Sequence, residues 1–592
     1  MFFRLTILIF VGFLVCASSL KNDSEITISE LKSHITYLAS DKLKGRKSGS
    51  KEANSAANYI YQQFKNYGLE FPVDKGFQCF EVLTDINLGK KNFFHYQNKK
   101  SIAGVDYIPL AFSKDTSISA NIVFAGYGFE VKSNEIYWND FDKIEVKDKW
   151  VLMFTAEPKM HSRNPLFSDN SDSRYKAMIA ADKGAAGVIF VYPPSEKKEN
   201  QIPALVCPRN DSRIKIPVVH ISHKLADELL KPADLTLSRI EQLILDNKKP
   251  YSFETEINIE LSVELIVKKA QTCNVIAYIE GNHEVLKNEF IVVGAHYDHL
   301  GMGGYGSGSR MPDTVAVHNG ADDNASGVAG LIELAGKLAF HRNLLDRSVV
   351  FIAFSAEEMG LLGSNYFVNN SFLPLNSIKT MINLDMIGRQ DTITNFLLVG
   401  GLGTAVQHDS IVSFHAQKYN IDLKKTYEGL GPSDHASFYA KNIPVLFFSS
   451  GAHHDYHTPF DDEDKIIYPP MINTLNFLYD LTMSYATLKT SPVFMEAGPK
   501  EASSNRGYTV TLGIMPDFSA TDIKGLKIQS VRKGGPASVA GLINGDIIIS
   551  INENEITNIY DYTHRLKMLR KGDIITVGII RNSTEFKFFI QL

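Results

Sequence analysis

Between Ile28 and Leu69, apolar residues recur at helical spacing: Leu31, Ile35 and Leu38, then Ala56, Ile60 and Phe64. This predicts two helices separated by the turn-like Lys44-Gly45-Arg46-Lys47-Ser48-Gly49. Runs rich in aromatic and β-branched residues at 122–129 and 150–154 predict short strands. A helix over 175–184 and strands over 185–191 and 216–221 follow. From Asn274 onward strand and helix alternate, with strands at 290–294, 348–354, 381–384 and 445–448 and a helix at 326–338. Such alternation points to an α/β domain of three layers with a mostly parallel sheet. Ligands of such sheets gather at the carboxyl ends of the strands.

At 592 residues the chain exceeds what one core organises, and three or four domains are expected. Hydrophobic residues make up 44% and charged residues 21%, which excludes wholesale disorder and a many-span membrane protein. A formal charge of -5 and the lack of any dense Lys/Arg run leave no phosphate-binding stripe, so nucleic acid is not an expected partner. Arg4, an apolar run from Leu5 to Val15, and the small residues Ala17, Ser18 and Ser19 read as a signal peptide over 1–19. The run is too short for a stable transmembrane span, so an exported protein, periplasmic or extracellular, is expected. Cys16 adds the option of a lipid anchor, which the bulky Val15 disfavours. Removing Cys16 leaves Cys79, Cys207 and Cys273, an odd set from which no disulfide framework is expected. Stability is then left to the cores and to metal.

Five segments place acidic residues and histidines directly after apolar runs: Gly294-Ala-His296-Tyr-Asp298, Gly320-Ala-Asp322-Asp323-Asn-Ala-Ser-Gly327, Ser355-Ala-Glu357-Glu358, Asn383-Leu-Asp385, and His454-Asp-Tyr456-His457-Thr-Pro459. Taken singly, the Asp in Asp-Asn-Ala-Ser-Gly reads as a helix cap and the Glu-Glu pair as a solvated helix start. Together, two histidines and three carboxylates form the ligand set of a pair of zinc ions. On an extended segment His296 and Asp298 share a face, so Asp298 can orient His296. His299, His318, His435, His453 and His454 lie close in sequence to these segments. The glycine-rich stretch 301–319 is expected to be a mobile loop at the pocket mouth.

In order and spacing these segments resemble the M28 family of zinc peptidases, which includes secreted bacterial aminopeptidases. The resemblance covers residues 25–118 and 251–490. It implies two zinc ions per chain, with His296 and Asp385 completing one site, Glu358 and His457 the other, and Asp322 bridging them across a cis Asp322–Asp323 peptide. It further implies Glu357 as general base, with Tyr456 adding a hydrogen bond to a developing oxyanion. Residues 119–250 resemble the protease-associated (PA) domain. Residues 505–592 resemble a PDZ domain, whose Leu512-Gly513-Ile514 would hold a peptide carboxylate while the peptide adds as a strand. The implied function is an exported metallopeptidase acting on peptides or proteins, an aminopeptidase by resemblance. A carboxypeptidase of the same superfamily, a glutaminyl cyclase and a non-catalytic receptor-like protein are the competing readings. His296 and Asp385 together speak against the cyclase, and the full ligand set with Glu357 against the receptor.

Overall fold

A computed structural model describes residues 25–592 except 98, 133–135, 160–164, 209, 393–394, 499–509 and 518–522. The proposed signal peptide and Cys16 lie outside the described residues. Among the described residues no helix is long and apolar enough to cross a membrane.

The peptidase-like unit is built on an eight-stranded sheet. Its order is Phe77–Leu88, Leu265–Ile279, Ser348–Phe354, Phe290–His296, Ile378–Leu384, Val445–Ser449, Phe396–Gly400 and Asp422–Lys425. The four middle strands pair in parallel, whereas antiparallel pairings join the outer strands to them on both sides. The parallel strands are apolar on both faces, as burial between two helical layers requires. The two-residue alternation sorts them. Ile291, Val293, Ala295, Val349, Phe351 and Ala353 meet helices Ile28–Leu38, Lys51–Asn66, Gly327–Phe340 and Tyr468–Thr487 on one side. Val292, Val350, Ile352 and Phe354 meet Leu362–Asn369 and His435–Ala440 on the other. The first two helices begin at N-caps: Thr27 forms a capping box with Glu30, and the Ser50 side chain accepts from the Ala53 N–H.

A second eight-stranded sheet carries the insert. It includes Thr116–Ala125, Trp150–Phe154, Gly187–Val191 and Val218–Ile221, but also Phe93–Tyr96, Lys99–Ser101, Tyr107–Pro109 and Ser252–Val263. The insert's sheet therefore reaches beyond 119–250 on both sides. Alternating patterns show where strands lie but not which sheet they join. The C-terminal unit is a five-strand path with Ile514–Pro516 at one edge and a helix Ile559–Lys567.

That unit is seated against both others. Asp182 of the insert accepts from His564 at 2.8 Å and from both terminal nitrogens of Arg565 at 2.6 and 2.7 Å. The Arg174 guanidinium lies 3.7 Å from the centre of the Tyr560 ring. On the peptidase side, the Gln529 amide donates to Asn365 at 2.7 Å, within the helix Leu362–Asn369.

One expectation is overturned. Cys79 and Cys273 form a disulfide across the antiparallel pair of strands 77–88 and 265–279, 194 residues apart in sequence, and among the described residues Cys207 is free. An odd count removes one cysteine from pairing, not all three. The partners lie far apart in the chain because the whole insert is threaded between them. Closing so long a loop restricts the unfolded chain, by about 2–4 kcal/mol for a typical bridge. The paired substitution Cys79→Ser with Cys273→Ser is expected to lower the thermal midpoint by several degrees in calorimetry. Cys207→Ser, measured alongside it, is expected to leave it in place.

Candidate metal centre

The strands Phe290–His296 and Ile378–Leu384 and the turn over residues 321–326 converge at the carboxyl edge of the peptidase sheet. There His296, at the end of its strand, points Nε2 to Asp323 and Asp385, each at 3.3 Å. His457 points Nε2 to Asp323 at 3.2 Å and to Glu358 at 3.3 Å. The ligand atoms of a tetrahedral zinc at about 2.0 Å are separated by about 3.3 Å, so these four distances match two zinc subsites sharing Asp323. Asp323 Oδ2 is buried with no hydrogen bond of good geometry among the described residues, although His457 Nε2 lies 3.2 Å away, which leaves a polar atom for an ion to satisfy.

Asp323, not Asp322, faces both histidines. The Asp322 carboxylate turns the other way: one oxygen accepts from the Gly388 N–H at 2.7 Å, and the other lies 3.3 Å from His453 Nε2. Asp461 accepts from the backbone N–H groups of both Asp322 and Asp323, fixing the turn that separates their side chains. The cis peptide joins Asp323 to Asn324, one residue beyond the expected place. Two adjacent aspartates in Ala-Asp-Asp-Asn offer the same chemistry, and strand-to-turn spacing cannot choose between them.

The nearest alternative ligand is His299, which with Asp323 and Glu358 makes a second possible metal-holding group. Its Nδ1 lies 2.8 Å from Glu358 and 3.7 Å from Asp323. The shorter distance is that of a hydrogen bond, so His299 steadies Glu358 while His457 has the spacing of a ligand.

Asp298 differs from expectation in how it works. The nearest acceptor to His296 Nδ1 is the Asp298 carbonyl at 3.2 Å, while a carboxylate oxygen of Asp298 lies 3.9 Å away. The carboxylate instead accepts from the Ser48 hydroxyl at 2.9 Å and the Glu357 N–H at 3.1 Å. It thus ties the histidine segment to the glutamate segment. Glu357 Oε2 lies 4.0 Å from His296 Nε2, close to the centre yet outside ligand spacing. The Tyr456 ring stacks on His457 at 3.8 Å between centroids.

Protonation follows the crowding of charge. Burial works against a cation on His296, but Glu357, Asp385 and Asp323 outweigh it and raise its pKa well above the usual value. His457 behaves alike: burial opposes its charge, yet Asp323 and Glu358 push it up to about 10. Burial together with Glu358 raises the Glu357 carboxyl well above the usual range. Burial and the nearby carboxylates also raise the Tyr456 phenol, which stays protonated. Asp298 is pushed up to about 6 by burial.

The other histidines are settled by their partners. His318 bonds Ser309 at 2.8 Å. His435 is buried 4.7 Å from the Phe447 ring and held neutral by burial, its pKa lowered to about 3. His454 has an exposed side chain. The stretch 301–319 is anchored rather than free: Arg310 N–H donates to the His457 carbonyl at 2.9 Å, and Asn319 donates to Asp41 and Asp462, each at 2.9 Å. Gly306 packs on Val206 of the insert so closely that an added Cβ would lie 2.2 Å from it.

Comparison with known proteins agrees with this architecture. Residues 274–480 match peptidase family M28, 118–229 the PA domain and 502–592 the PDZ domain. The chain is 27% identical over 323 residues to the aminopeptidase YwaD of Bacillus subtilis, covering 53% of this chain and 60% of that one. It is 32% identical over 157 residues to an aminopeptidase of Pseudomonas aeruginosa, covering 26% of this chain and 25% of that one. The chain thus spans less than two thirds of these relatives. Among solved structures, the zinc aminopeptidase BSAP of Bacillus subtilis aligns with a TM-score of 0.47 and 21% identity, over 80% of this chain and 100% of that one. Residues 274–480 are thus a peptidase domain of family M28, in a chain that also carries a PA domain and a PDZ domain.

Proposed function

We propose that the chain is an exported zinc aminopeptidase with two metal ions per centre. The observation that carries this reading is the shared Asp323 carboxylate, flanked by His296 with Asp385 on one side and by His457 with Glu358 on the other. These five residues would hold the metals. When bound, zinc supplies Lewis acidity and a water acidified towards neutral pH. Glu357, beside the centre but outside ligand spacing, takes the proton of the attacking water and delivers it to the departing amine. The Tyr456 phenol, kept protonated and stacked on His457, would donate a hydrogen bond to the developing oxyanion.

Removal of residues from the amino end draws its support from the relatives named aminopeptidase. Export is supported by the Cys79–Cys273 disulfide, since such bonds persist in oxidising compartments. In the PDZ domain the strand Ile514–Pro516 pairs, among the described residues, only with Leu526–Val531, leaving an edge on which a peptide with a free carboxyl end can add.

Four measurements test this reading. Glu357→Gln is expected to keep two zinc ions per chain by elemental analysis and to lose about 100-fold or more in kcat on a free-amine peptide. Wild-type rates in that variant would remove Glu357 from the chemistry. Asp323→Asn is expected to lose both ions, whereas Asp322→Asn keeps them; the reverse pattern would restore the bridge to Asp322. Because the raised pKa values of His296 and His457 leave both protonated at neutral pH without metal, and ligation needs the neutral ring, zinc uptake must release protons. Calorimetric titrations in buffers of different ionisation heat at pH 7 should show that release, and apparent affinity should rise with pH. Finally, cleavage of N-acetylated peptides from their carboxyl ends, with free-amine peptides untouched, would replace the aminopeptidase by a carboxypeptidase.

A further inference from the structure

We propose that the turn Gly45–Ser48, outside the matched peptidase segment, is the positioning element of the metal centre. Arg46 and Ser48 lock the three segments that carry His296, Asp323 and Glu357 into one register. The proposal rests on the reading of the site as a two-metal centre.

Arg46 is almost wholly buried, with 1% of its surface exposed, yet its hydrogen bonds go to backbone carbonyls. Nε donates to Tyr297 at 2.8 Å, Nη1 to Asn319 at 2.7 Å and to Leu38, and Nη2 to Gly320 at 3.0 Å. Tyr297 follows His296, and Gly320 precedes Asp323 by three residues. One guanidinium thus fixes the distance between the two segments that supply the imidazole and the shared carboxylate. The planar fork can span four carbonyls where an ammonium cannot.

The backbone of the turn adds to the clamp. The Gly45 carbonyl accepts from Gly301 N–H at 3.0 Å and the Arg46 carbonyl from His299 N–H at 3.4 Å. Gly45 has φ +67°, and a Cβ there would stand 2.4 Å from the Gly301 carbonyl oxygen and 2.5 Å from that of His318. Only glycine lets the turn come this close. Ser48 ties in the third segment, donating to the Asp298 carboxylate at 2.9 Å and accepting from the Ala356 N–H at 3.1 Å, next to Glu357. None of these groups has ligand spacing to the centre, so both side chains act by placing others. Outer groups of this kind are worth about 10–100-fold in metal affinity or activity.

The test uses the full chain loaded with cobalt(II), whose visible bands report ligand geometry independently of turnover. Arg46→Lys and Ser48→Ala are each expected to shift those bands at equal metal occupancy. Each should also lower kcat on a free-amine peptide about 10-fold or more while KM stays within about twofold. Arg347→Lys is the control, because Arg347 is equally buried and also bonds the backbone carbonyls of Tyr485 and Leu488, but at the opposite end of the strand Ser348–Phe354. It should lose thermal stability with bands and kcat unchanged. Wild-type bands and kcat in Arg46→Lys and Ser48→Ala overturn the proposal, and if Arg46→Lys does not fold, Ser48→Ala decides alone. A wild-type chain that takes up no cobalt overturns the metal centre and the positioning role together. One that takes it up without cleaving peptides removes the peptidase reading and leaves the band shifts to decide the positioning role.

Discussion

Four carboxylates, Asp323, Glu357, Glu358 and Asp385, are drawn into one pocket where water cannot solvate them all. Buried carboxylates repel one another and lose hydration, and such a cluster persists only against comparable positive charge. His296 and His457 supply part of it, and the carboxylates around them outweigh burial and raise the pKa of both rings. The two zinc ions proposed for the centre would supply the rest. The rest of the peptidase unit follows from keeping these groups apart yet fixed: parallel strands end together at one edge, and each segment beyond an edge turns under restraint. Asp461 restrains the Asp322–Asp323 turn, Asp298 the glutamates, and Arg46 the carbonyls behind the imidazole.

Much of this was legible in the order of residues. The apolar runs ending in His296 and Leu384 declare buried parallel strands, and the acidic residues beyond them mark the edge where ligands gather. What stayed hidden was decided by rotation or by distance along the chain. Asp322 and Asp323 are chemically equal neighbours, and only the turn set by Asp461 and Gly388 determines which carboxylate faces the histidines. Asp298 could be placed near His296 by strand alternation, but its actual partners, Ser48 and the Glu357 N–H, come from segments that only the folded chain brings together. Arg46 looked like one charge in a polar turn. A buried arginine beside glycines is the available signal, and burial is not visible in a loop.

The disulfide shows the same limit from another side. Cys79 and Cys273 belong to neighbouring strands, but the PA domain is inserted between them. Counting cysteines treats the chain as one line, whereas the strands 77–88 and 265–279 are the two stems from which the insert grows. A cross-link at the stems holds the insert's attachment without constraining the insert itself. It also steadies the pocket floor, since the Tyr297 hydroxyl donates to the Cys273 carbonyl at 2.8 Å and Tyr297 is the residue that Arg46 grips.

The same economy explains where the PDZ domain sits. It meets the insert through Asp182, His564 and Arg565, and the peptidase through Gln529 and Asn365. Asn365 lies in the helix Leu362–Asn369, which starts four residues after Glu358. A hydrogen-bonded ion pair at one end and a buried amide pair at the other fix orientation more than they add stability, because such polar contacts are satisfied only in one geometry. The third unit therefore contacts both the insert and the helix that follows the glutamate segment.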